Sequence, residues 1–118
     1  MGDAHVGRRW VVINLTRRLR RRPKARYTEA VTIRDRADLP EHLNPRRVYQ
    51  LGEPAKWVVL ECPCGRGHVL ELNLAHPSRP EWSVFTNDGK EPSLSPSVDF
   101  KGERRCHFWL REGRVRWV

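Results

Sequence analysis

The 118-residue chain has only three cysteines, and none lies outside two short stretches that also carry histidine. It has no long apolar run either. Val11-Val12-Ile13 is far too short to span a bilayer, and nothing resembles a signal peptide. With an odd cysteine count, this leads us to expect a chain of the reducing cytoplasm. Helical periodicity is scarce, and no helix of useful length is expected after Leu43. There is no Cys-x-x-Cys pair, so the standard zinc finger is excluded. There is no His-Glu-x-x-His element, which removes the commonest zinc-protease signature.

Acidic residues are rare at the start of the chain. The net charge is +9, yet nine basic residues fall within Met1–Arg26 against Asp3 alone. Tyr27–Val118 then holds fourteen basic and thirteen acidic residues and is nearly neutral. The expected organisation is a basic N-terminal arm, 1–26, and one small domain, 27–118, of a size that a metal staple would help. The arm suits salt-sensitive contact with nucleic acid or an acidic partner, or is simply a solvated tail.

What the chain does have is a thiol pattern. Cys62-Pro63-Cys64-Gly65 is followed by His68, and Cys106-His107 stands far downstream. Two cysteines this close make a poor disulfide. On an extended strand they would face the same side, with Gly65 letting the chain turn over an ion. A free cysteine is often only a small buried hydrophobe. Three of them confined to two histidine-bearing spots point instead to structural zinc. Neighbours on a strand face opposite ways, so Cys106 and His107 cannot both ligate unless the backbone bulges. Either Cys106 is a ligand and His107 is available for chemistry, or His107 is the ligand and Cys106 is packed. His68, at the other end of the knuckle, is the natural further ligand.

The alternation of β-forming residues predicts strands over Tyr27–Ile33, Arg47–Leu51, Trp57–Cys62, His68–Leu74, Trp82–Thr86, Cys106–Arg111 and Arg114–Trp117. One helical turn is expected over Ala37–Leu43, capped by Asp38. Turns are expected at Asn87-Asp88-Gly89 and Glu112-Gly113, and Ser93–Ser97 reads as a polar loop. The fold class is therefore mainly β, a small antiparallel domain with a zinc knuckle and at most short helices. Trp57, Trp82, Trp109 and Trp117 read as core and groove-lining residues, one aromatic near Phe108-Trp109 facing outward. Glu61 and Glu71 read as surface charges.

The knuckle, Pro80-Glu81-Trp82-Ser83-Val84, Ser93-Leu94-Ser95-Pro96-Ser97-Val98 and His107–Trp117 resemble a family of small bacterial zinc-site proteins encoded with ubiquitin-like conjugation genes. The resemblance covers about Tyr27 to Val118. It implies a serine peptidase that trims a ubiquitin-like protein or removes it from its conjugates, with E1- and E2-like proteins as further partners. The family pattern has Cys-Arg-Ser-His before the aromatic pair. Here Arg104-Arg105-Cys106-His107 puts arginine at the family cysteine and cysteine at the family serine, so the third thiolate has either shifted within a bulge or left the site.

Under this reading Ser97 is the first choice of nucleophile, Ser95 the second, His107 the base and Asp99 its orienting acid. The plainer alternative is that the three serines cap a turn beside Pro96. The metal set is Cys62, Cys64, Cys106 and His68, with His107 the competing fourth ligand. The competing function is a non-catalytic zinc adaptor that binds nucleic acid or protein through the arm.

Overall fold

A computed structural model describes residues 24–75, 81–86 and 90–118. The anticipated turn at Asn87-Asp88-Gly89 and all but the end of the basic arm lie outside them. Eight strands form two four-stranded sheets. The first holds β1 (Glu29–Ile33), β2 (Arg47–Leu51), β3 (Trp57–Glu61) and β4 (Val69–Asn73), in that order. The second holds β5 (Ser83–Thr86), β6 (Pro92–Lys101), β7 (Arg105–Arg111) and β8 (Arg114–Trp117), also in order. Every neighbouring pair is antiparallel except β1–β2. The only helix among the described residues is a 3-10 turn, Arg36–Asp38. The chain is mainly β, as its alternation predicts.

The sheets meet face to face. Val48, Val58, Leu60 and Leu70 of the first pack in one cluster with Leu94, Val98, Phe108 and Leu110 of the second. Each such side chain is worth about 1.5–3 kcal/mol when fully buried. The outer face of the first sheet is covered too. Parallel strands need a crossover, and the 34–46 connection lays Leu39 and Leu43 against Tyr49, Leu51 and Val59. That double coverage explains why Val58-Val59-Leu60 is buried without alternation.

Three local expectations change. The 3-10 turn is capped by Asp35, whose side chain accepts from the Ala37 N–H at 3.0 Å, and Asp38 lies within the turn. The helical turn is also shorter and earlier than Ala37–Leu43, because Pro40 cannot continue it. Ser93–Ser97 is strand, not loop. It belongs to β6, and the register against β7 slips between Leu94 and Val98. Pro96 has no N–H to give the ladder, so the strand bulges there.

The Glu112-Gly113 hairpin turn forms as expected, with both residues at positive φ. Gly113 also receives the start of the domain, its carbonyl accepting from the N–H groups of Arg26 and Tyr27 at 2.8 and 3.0 Å. Tyr27 is fully buried, and its hydroxyl donates to the Glu61 carbonyl across the sandwich. A Cβ on Gly113 would lie 2.2 Å from the Tyr27 carbonyl oxygen. Gly113→Ala is therefore expected to destabilise the protein by about 2–3 kcal/mol. Urea unfolding checks this, and an unchanged midpoint would show that the contact yields freely.

Candidate metal centre and candidate active site

One strand, β7, serves both sites. Its ladder to β6 is regular here, with Asp99 opposite His107 and Phe100 opposite Cys106. Regular pleating sends Cys106 inward and His107 outward. The third thiolate has moved two positions along the strand from the family cysteine, with no bulge at Cys106, and it stays at the cluster.

On the inner side, ligand atoms of Cys62, Cys64, His68 and Cys106 all lie within 4.8 Å of one another. The Cys64 sulfur stands 3.5 Å from His68 Nδ1, and the Cys106 sulfur 4.0 Å from His68 Nε2. A tetrahedral zinc ion with ordinary bond lengths sets its ligand atoms about 3.5–3.8 Å apart, so this donor set fits the ion after small adjustments. Four protein ligands close the coordination shell, which suits a structural metal. His107 is not in the cluster.

The knuckle reaches this arrangement differently from the expected extended strand. Residues 63–64 form a turn after β3, closed by hydrogen bonds from the Gly65 N–H to the Cys62 carbonyl and from the Cys62 N–H to the His68 carbonyl. Gly65 holds φ at +80°, which a side chain would resist. Phe100 stacks on the His68 ring at 4.7 Å and walls the site. Sequence alone gave no sign of Phe100, because its place depends on the β6–β7 register.

Burial pushes the Cys62 thiol up to about 12, with the neighbouring Cys106 and Cys64 thiols contributing less. Burial opposes ionisation at Cys64 as well. There, hydrogen bonds from the Arg66 backbone, Cys62 and Cys106, with the Arg66 charge, bring the thiol below its ordinary value. The cluster can thus share negative charge toward its exposed end.

On the outer side, Ser97 Oγ lies 3.1 Å from His107 Nε2. Both side chains are half-buried. Ser95 is exposed, and the Ser93 hydroxyl accepts from the Glu112 N–H of the β7–β8 hairpin at 2.7 Å, so the serines do not cap a turn beside Pro96. Asp99 shares this face, but both its oxygens are engaged by Arg105 at 2.9 and 2.8 Å. Arg105 had not been singled out from the sequence. Cys106 is buried on the opposite face.

Hydrogen bonds from Arg105 hold the Asp99 carboxyl below the usual carboxylate range, desolvation opposing and the charges of Arg105 and His107 adding. A depressed folded-state value contributes stability above the ordinary carboxylate value, and that contribution is lost as the pH falls through the lower folded one. Asp99→Asn should therefore lower the melting temperature slightly at neutral pH and cost progressively less as the pH falls below the ordinary carboxylate value. An equal cost at neutral and acidic pH would assign the loss to packing.

Glu71 behaves as a surface charge, pairing with Arg36 at 2.9 Å. Trp82 packs against the core, Trp57 and Trp117 are largely exposed, and Trp109 is the outward aromatic. No helix among the described residues is long and apolar enough to cross a membrane.

Fold and site define a small two-sheet β protein with a thiolate–imidazole cluster and a serine–histidine pair on opposite faces of one strand. The chain belongs to the bacterial ubiquitination-like system serine protease family (BubE), whose model matches residues 35–118. No curated protein and no solved structure matches it.

Proposed function

We propose that the protein is a serine peptidase that trims a bacterial ubiquitin-like protein or releases it from conjugates, with Ser97 as nucleophile and His107 as base. The observation that carries this reading is the 3.1 Å contact between Ser97 Oγ and His107 Nε2 on an accessible face, in a chain of a serine protease family. A hydroxyl is a weak nucleophile until a neighbouring base takes its proton.

In the first half-reaction Ser97 Oγ bonds to the scissile carbonyl carbon while His107 Nε2 accepts the hydroxyl proton. The tetrahedral intermediate collapses, the C–N bond breaks, and the histidine returns the proton to the departing amine. Water then attacks the ester carbon, its proton going to His107; the C–O bond to Ser97 breaks, the histidine returns the proton to Ser97 Oγ, and the carboxylic acid product leaves. Asp99 stands opposite His107 in the ladder. Its engagement by Arg105 makes it an electrostatic neighbour in this state rather than a hydrogen-bonded third member.

Zinc held by Cys62, Cys64, His68 and Cys106 would supply a crosslink between the β3–β4 knuckle and β7. Bound there it would serve as a structural crosslink, and by tying down Cys106 it would help fix the strand that carries His107, the next residue. We assign the peptidase to the domain 27–118 and leave the arm, 1–26, to capture acidic partners.

A fluorophosphonate probe, which bonds only to activated serines, tests the reading on the full chain. Labelling is expected on Ser97 and lost in His107→Ala, alongside cleavage of a C-terminally extended ubiquitin-like protein encoded beside the gene. Labelling elsewhere, or an inert chain, overturns it.

A further inference from the structure

The outward row of β7 continues from His107 through Trp109 to Arg111, and β8 sets Arg116 opposite Trp109. The Arg111 guanidinium lies over the Trp109 ring at 5.0 Å. Neither Arg111 nor Arg116 has an acidic partner among the described residues. Arg111 also borders two clefts on this face. One, of about 480 Å³, runs between Phe85, Ser93, Ser95 and Glu112. The other, of about 340 Å³, lies between Trp109 and Arg116. Two uncompensated guanidiniums, one braced by an aromatic ring, form a receptor for a carboxylate.

We propose that this face is a specificity subsite for an acidic side chain of an extended peptide substrate, bound by Arg111 and Arg116. The proposal rests on Ser97 and His107 being the reacting pair. Arg111 lies four positions after His107, about 13 Å along a strand. An extended substrate lying along the row covers that distance in about four residues, which sets the acidic side chain about four positions from the scissile bond. A nucleic acid fits less well. Arg111 already occupies the Trp109 ring face that a base would stack on, and Glu112 stands at the rim of the larger cleft.

The test uses the full chain carrying Ser97→Ala and a labelled, C-terminally amidated peptide with one Glu, compared with its Gln counterpart. The Glu peptide is expected to bind about tenfold more tightly. Arg111→Gln and Arg116→Gln should each remove most of that preference, Arg111→Lys should keep part of it, and Arg34→Gln, in the connection after β1, should keep it all. Equal binding of the two peptides overturns the subsite. So does a single-stranded oligonucleotide that binds more tightly than the peptide and is released by the same arginine substitutions. With the Ser97 chain and peptides in which Glu is moved stepwise, cleavage is expected about four residues from it, Arg111→Gln raising KM with kcat kept. Because binding needs no turnover, a Glu preference without cleavage would sink the serine mechanism and leave the carboxylate receptor standing.

Discussion

Ser97→Ala is expected to lower the rate of cleavage of a ubiquitin-like precursor by about ten-thousand-fold or more, a barrier increase of about 5.5 kcal/mol. His107→Ala should cost about as much, and the double variant should be no worse than either, because the two groups act as one unit. The expectation follows from their 3.1 Å contact, from the exposure of Ser95 and from the burial of Cys106 on the opposite face. Ser95→Ala should therefore change little. Melting temperature and zinc content should stay close to their original values in Ser97→Ala, since Ser97 belongs neither to the buried core cluster nor to the metal-ligating set. Ser97→Ala protein that keeps a tenth of its activity would refute the serine assignment.

Loss of the metal is expected to have the largest effect on stability. The purified protein should hold one zinc ion per chain, and a strong chelator should unfold it. Structural zinc in small domains carries apparent binding free energies of about 10–16 kcal/mol, more than a domain of this size can spare. Cys62 shows why. It is fully buried at the sheet interface, and without a metal burial holds its thiol protonated up to about 12. The ion must displace that proton, so zinc affinity should rise with pH and fall on acidification. Cys62→Ser and Cys106→Ser are expected to lose the ion and melt cooperatively at a lower temperature, or fail to fold. His107→Ala should retain zinc, which separates the two histidines. Protein that is metal-free yet melts where the zinc-loaded chain does would overturn the structural role.

The core was largely legible because sheets impose a period of two. Leu70 and Leu72 fall on one side of β4 and Glu71 on the other, as the alternation requires. The Glu112-Gly113 turn was equally local, a sharp reversal between two alternating runs. The 93–97 segment was not, because serine and proline are what a loop and a bulged strand both contain. Its strand character comes from pairing with the neighbouring strands β5 and β7, which its own residues do not reveal.

The site divides in the same way. The sequence by itself determined which atoms can bind metal or attack a carbonyl, since all the thiols sit in two places and strand geometry forbids Cys106 and His107 from facing one ion. It could not say which of the two points inward. Only the packing of β7 against the other sheet decided that, because the inner face excludes water and the buried Phe108 and Leu110 fix the strand's rotation. Once those side chains are inside, Cys106 follows them to the cluster and His107 is left outside, beside Ser97. The Asp99–Arg105 pair and the row from Trp109 to Arg111 were likewise decided by register, a property of two strands that no single stretch of sequence contains.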